Sequence, residues 1–172
     1  MLQGPLLFSI IIYTVPMILT NSLQLLFNAA DLVVVGRYCG SNSVAAVGST
    51  TSLVHLIINL FIGLSVGCGI TAAQSIGAGD KEGVHKIVHT AIPTALFCGL
   101  AITIIGFFGA EFFLKLMSTP DDILPLSALY LKIYFLGITA TMIYNFCAAI
   151  LRAAGDTRSP LIFLTVAGVI NV

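Results

Sequence analysis

The stretch YCGSNSVAAVGSTTSLVHLIINLFIGLSVGCGITAAQSIGAG, residues 38–79, runs for 42 residues without an Asp, Glu, Lys or Arg. A helix rises ~1.5 Å per residue and the hydrocarbon core of a bilayer is ~30 Å thick, so ~20 apolar residues suffice to cross it. The stretch exceeds that need, and a membrane span accounts for it where a soluble core helix does not. The rest of the chain agrees. Of its 172 residues 58% are apolar and 8% charged, with a mean hydropathy of +1.08, against ~25% charged in an ordinary soluble domain. The fold class is an all-α polytopic membrane protein.

Four further segments flank this one, giving spans at about 5–36, 48–76, 87–110, 124–151 and 160–172. Residues 39–47 are surplus to the second span and are expected to form an interfacial turn. The fifth segment holds 13 residues, roughly 20 Å of helix. A chain ending there leaves its carboxylate inside the bilayer, which is costly. The sequence is therefore expected to be the N-terminal part of a longer polypeptide, cut within its fifth helix. No Lys or Arg precedes the first apolar run and no small-residue cleavage site follows it, so the first span is expected to be retained rather than removed as a signal peptide.

The connections carry start and stop signals. Gln74–Asp80 closes the second span with two glycines, and Lys81–His89 follows as a short amphipathic stretch. Ser118-Thr119-Pro120-Asp121-Asp122 offers an N-cap hydroxyl, a proline and first-turn acids for the fourth span, and Ser159-Pro160 does the same for the fifth. With the N-terminus inside, the cytoplasmic turns hold Lys81, Lys86, Arg152 and Arg158, against Arg37, Lys115 and Lys132 outside. The positive-inside rule thus favours a cytoplasmic N-terminus in a cell (inner) membrane.

Polar residues recurring at helical spacing inside apolar segments should face a bundle interior or a water cavity. In the first span Asn21, Gln24, Asn28 and Asp31 share a face; in the second, Ser52, His55, Asn59 and Gly63; in the fourth, Tyr130, Tyr134, Gly137, Thr141, Asn145, Ala148 and Arg152; the fifth adds Asn171. Interhelical packing alone explains many such stripes. Asp31 stands apart, because a carboxylate at membrane depth is expensive and makes a place where gaining a proton or cation changes the energy; the plain alternative is that it reaches interfacial water beside Arg37. Pro16 removes a backbone bond within the first span and is a candidate hinge or a static bend. Gly36-x-x-x-Gly40 and Gly63-x-x-x-Gly67 permit close helix approach.

Several chemistries are excluded or weakly supported. Seven basic against seven acidic residues leave no net charge for neutralising phosphates, so nucleic acid is not a partner. Cys39, Cys68, Cys98 and Cys147 lie too far apart for a C-x-x-C metal or redox pair and read as small buried side chains. His85 and His89 with Glu82 resemble a metal-binding face less than a solvated amphipathic turn. Gly77-Ala-Gly79 lacks the Lys-Ser/Thr of a P-loop, and no Ser-His-Asp or Cys-His order is present. No enzymatic activity is expected.

Taken together, Val15-Pro16-Met-Ile-Leu, Asn28-Ala-Ala-Asp31-Leu-Val-Val-Val-Gly36, Ala45-Ala46-Val47-Gly48, Gln74-x-x-Gly-Ala-Gly-Asp80 and Ala149-Ile-Leu-Arg152-Ala-Ala-Gly-Asp-Thr157 with Pro160 resemble the multidrug and toxic compound extrusion (MATE) transporters over nearly the whole chain. The resemblance implies about four and a half transmembrane helices of the N-terminal six-helix lobe of a twelve-helix transporter, whose V-shaped cavity opens alternately to each side. It implies efflux of amphiphilic, often cationic, drug-like molecules by antiport with protons or sodium, with no cofactor beyond the coupling ion. It places Asp31 at the acidic cation-coupling position of the first helix, Asn171 and Tyr130 beside it, and Pro16 at the bending point. Gln24, Asn28, Asn59, Tyr134, Thr141 and Asn145 are then expected to line the cavity. The partners implied are small-molecule substrates, the lipid bilayer and the missing C-terminal lobe. A lipid or oligosaccharide-lipid flippase of the same superfamily, or a non-transporting membrane subunit, are the alternatives.

Overall fold

A computed structural model describes residues 6–171, so the expected ends of the outermost spans at Pro5 and Val172 lie outside the described residues. Five helices follow one another: α1 (Leu6–Cys39), α2 (Ser41–Gly77), α3 (Lys81–Leu116), α4 (Leu124–Ala153) and α5 (Arg158–Asn171). Among the described residues, α1 to α4 are each long and apolar enough to cross a membrane.

The helices are longer than the apolar runs that announce them. Residues 41–47 are helical, not an interfacial turn, and the whole reversal between α1 and α2 falls on Gly40. Its φ of +83° is a left-handed conformation that glycine adopts without steric cost. The small, polar composition of residues 39–47 suggested a turn, but once Gly40 makes the corner nothing there opposes helix. Lys81–His89 likewise forms the first turns of α3 itself. Helix α3 begins at Asp80, whose carboxylate accepts the Gly83 backbone N–H at 2.9 Å. Replacing a capping Asp by Ala costs ~0.5–2 kcal/mol. Asp80→Ala is therefore expected to speed amide exchange in the first turn of α3 while leaving the middle of the helix protected.

Helices α2, α3 and α4 end alike. After each, two backbone N–H groups fold back on the last turn: Gly79 to Ile76 and Asp80 to Ser75, Ser118 to Lys115 and Thr119 to Leu114, Gly155 to Arg152 and Asp156 to Leu151. This closure requires a left-handed residue, supplied by Gly79 and Gly155 at one end of the bundle and by Ser118 (φ 57°) at the other. Ser118 thus terminates α3 instead of capping α4, whose cap position is Ile123, with no side-chain hydrogen bond. Ser159 does not cap α5 either. The Asp156 carboxylate accepts from the Arg158 and Ser159 backbone N–H groups and from the Ser159 hydroxyl. The Ser159 hydroxyl, chiefly, holds that carboxyl below its ordinary range. The cap is therefore present at neutral pH and is lost only when acid protonates Asp156.

Within a bilayer lipid tails are as apolar as side chains, so helices associate through close packing more than through burial. The most extensive pairing joins α3 to α4, then α2 to α4. Its centre is Ala110, Leu114, Leu131, Phe135, Ile138 and Met142, with Leu53, Ile57 and Phe61 of α2 against it. Gly99 lies so close to α4 that an added Cβ would sit 2.8 Å from the Thr139 Cα, and Thr103 donates or shares hydrogen bonds with the Phe135 carbonyl and the Thr139 hydroxyl at 2.9 and 3.0 Å. Gly63 and Gly67, by contrast, have open space where a Cβ would go. Helix α2 packs through Ala46, Thr50, Ser65 and Ala72, so the Gly63-x-x-x-Gly67 face turns away from the core and brings no helix close. Helix α1 has little burial and pairs mainly with α5, where Phe27 lies over Gly168.

Candidate functional site

Asp31 and Asn171, 140 residues apart in sequence, meet where α1 and α5 run together: the Asn171 Nδ2 donates to the Asp31 Oδ1 at 2.8 Å. The steps 21, 24, 28 and 31 carry the α1 stripe toward α5. Tyr130 lies on the second turn of α4, and its ring is 6.3 Å from that of Tyr134 at 31°. A carboxylate and a carboxamide from two helices thus meet directly, while Tyr130 makes no hydrogen bond to either among the described residues.

Two helical turns further along α1, toward its N-terminus, a cleft of about 130 Å³ opens between α1, α2, α4 and the start of α5. Asn21, Gln24, Asn145 and Arg152 line it. Two hydrogen bonds brace its walls. Tyr13 donates to the Arg152 carbonyl and Tyr144 to the Pro160 carbonyl, each at 3.1 Å. Of the expected cavity residues, Gln24 and Asn145 are here. The other four are not among its lining. Asn28 is exposed on α1 between the two places. Tyr134 packs against the α3–α4 core. The Thr141 hydroxyl is spent on the Gly137 carbonyl of its own helix.

Asn59 departs furthest from expectation. The stripe Ser52, His55, Asn59, Gly63 falls on the side of α2 opposite Thr50 and Ser65, exposed and facing away from the bundle interior formed by α2, α3 and α4. The period identified the face correctly, but the small residues at 46, 50, 65 and 72 give α4 the closer approach. Pro16 leaves α1 as one continuous helix; its carbonyl accepts the Thr20 hydroxyl at 2.8 Å. Glu82 is engaged by Lys86 at 2.7 Å, and the His85 and His89 rings stack edge-on at 4.1 Å. The tyrosine braces escaped the sequence reading, because neither Tyr13 nor Tyr144 belongs to a polar stripe. Their only signal was a lone hydroxyl in an otherwise apolar turn.

Comparison with known proteins places this arrangement. The MatE family profile matches residues 16–172. The chain is 32% identical over 171 residues to the probable multidrug resistance protein YpnP of Bacillus subtilis (strain 168), covering 98% of this chain and 38% of that protein. It is 28% identical over 152 residues to the probable multidrug resistance protein NorM of Thermotoga maritima, covering 88% and 32% respectively. A crystal structure of MATE in the bent conformation superposes with a TM-score of 0.86 at 29% identity, over 93% of this chain and 36% of that one. The chain thus spans a little over a third of the relatives it matches most fully. With the profile covering nearly the whole sequence and the five-helix arrangement shared, the chain belongs to the multidrug and toxic compound extrusion (MATE) family.

Proposed function

We propose that the full-length protein exports amphiphilic, often cationic, drug-like compounds across the cell membrane in exchange for protons or sodium, and that the N-terminus faces the cytoplasm. The observation that carries this reading is the Asp31–Asn171 hydrogen bond at the α1–α5 contact. A proton or sodium ion on Asp31 changes what that oxygen can accept, so the ion favours one arrangement of α1 against α5 and the substrate the other. Tyr130 of α4 is the third member proposed for the site from family resemblance, and Pro16, which leaves the Ile12 carbonyl without its helical donor, is where α1 yields most easily. Multidrug resistance proteins among the relatives support the substrate class. The work done is translocation, not catalysis.

Everted membrane vesicles carrying the full-length protein test the reading. A fluorescent cationic dye is expected to accumulate when a proton or sodium gradient is imposed and to leak back when an ionophore collapses it. Accumulation that persists without either gradient, or that requires ATP, overturns the proposal.

A further inference from the structure

The cleft between α1, α2 and α4 has the opposite chemical character to the Asp31 site. Its charged group is Arg152, and no carboxylate lines it. The Arg152 Nε donates to the Ala148 carbonyl of its own helix at 3.0 Å. That bond leaves both terminal nitrogens free, and the two ion pairs among the described residues are Lys86–Glu82 and Lys132–Glu111, neither involving Arg152. Asn21 and Gln24, both exposed, and half-buried Asn145 line the same space, and none of their carboxamides has a hydrogen-bond partner among the described residues. The hydroxyls of Thr20, Ser65 and Tyr144 already donate to backbone carbonyls, so the uncommitted donors of the cleft are the guanidinium, the three amides and the Thr157 hydroxyl.

Such a set suits one kind of guest. A guanidinium offers a planar pair of N–H donors that matches the two oxygens of a carboxylate or phosphate, and neutral amides add further donors without a competing charge. The volume, about 130 Å³, is enough to admit a compact headgroup. The Met17, Ile62 and Val66 side chains form an apolar wall beside it, where the hydrocarbon part of a guest would continue. Gln24 and Asp31 are seven residues apart, so the oxyanion-seeking and cation-seeking ends of α1 are separated by ~10 Å.

We propose that this cleft is a binding subsite for a compact oxyanion, a carboxylate or phosphate, and that its source is the headgroup of an amphiphile presented to the transporter. Arg152 is the principal ligand, with Asn145 and Asn21 as secondary donors. The cargo class then includes zwitterionic or anionic amphiphiles, held by their acidic group here. This assignment rests on the export reading only in treating the guest as cargo.

The test is an equilibrium titration of octyl phosphate into the full-length protein in nanodiscs of phosphatidylcholine, against empty nanodiscs, with no ion gradient. A failure here therefore leaves the antiport reading standing, and a failure of gradient-driven export leaves this result standing. Saturable binding is expected, weakened roughly tenfold or more by Arg152→Gln and to a lesser extent by Arg152→Lys, which keeps the charge but loses the paired donors. Asn145→Leu is expected to weaken it as well, and it serves if Arg152→Gln does not fold, because Asn145 leaves no broken protein bond behind. Displacement by inorganic phosphate at the same concentrations assigns the site to a free anion; its failure to displace assigns it to an amphiphile headgroup. Unchanged affinity in folded Arg152→Gln, or equal competition by octyltrimethylammonium, overturns the proposal.

Discussion

Asp31→Asn in the full-length protein is expected to cut gradient-driven efflux by roughly ten- to hundredfold while leaving the protein folded and inserted. Asparagine has the shape of aspartate and still offers Asn171 an oxygen to donate to, so the 2.8 Å contact between α1 and α5 survives. What disappears is the difference between two charge states. An ion can bias a conformational equilibrium only through its differential affinity for the two states, and a neutral amide offers a proton or sodium nothing to discriminate. A charge-assisted hydrogen bond contributes ~1.5–3 kcal/mol, so losing the switch corresponds to a roughly ten- to hundredfold fall in transport. Asn171→Ala should weaken coupling less, since Asp31 keeps its charge. Dye transport in vesicles, normalised to the amount of inserted protein, measures both.

The second large effect concerns the scaffold. Gly99→Leu places a Cβ 2.8 Å from the Thr139 Cα, an atom of the α4 backbone that no rotamer change can move. The two helices must separate, and the hydrogen bonds from Thr103 to Phe135 and Thr139 open with them. Overpacking of this kind costs ~1–3 kcal/mol, and it falls on the most extensive helix pairing of the chain. The thermal unfolding midpoint in detergent should drop clearly. Gly67→Ala is the matched control. Nothing lies within 4 Å of its new methyl group, and exchanging glycine for alanine in a helix is worth up to ~1 kcal/mol, so its stability should hold or rise. A large loss at Gly67 would mean that the Gly63-x-x-x-Gly67 face is packed in the full-length protein.

These contrasts show where sequence periodicity stops being informative. Long apolar runs with at most one charge located α1 to α4, and the 3.6-residue period placed Asn21, Gln24 and Asp31 on one face of α1. Period alone does not say which neighbour a face meets. Ser52, His55 and Asn59 form as regular a stripe as the one on α1, yet α4 chose the opposite side of α2, where Ala46, Thr50 and Ala72 let backbones approach. Turn chemistry was ambiguous for a similar reason. Ser118 can cap the helix that follows or close the one that precedes it, and the left-handed backbone decided for α3. The meeting of Asp31 with Asn171 came from family resemblance, since no spacing rule connects residues 140 apart. The character of the Arg152 cleft depended on knowing that Arg152 pairs with no acid among the described residues and that Asn21, Gln24 and Asn145 line the same cleft, which only the packed helices reveal.

The central claim is that substrate and coupling ion compete through Asp31, and substrate-induced ion release measures it most directly. A cationic substrate is added to the purified full-length protein in weakly buffered detergent while pH and sodium electrodes record the solution. Stoichiometric release of protons or sodium is expected from the wild type and none from Asp31→Asn. Release that persists undiminished in Asp31→Asn, or substrate binding by the wild type with no ion released, would contradict the claim.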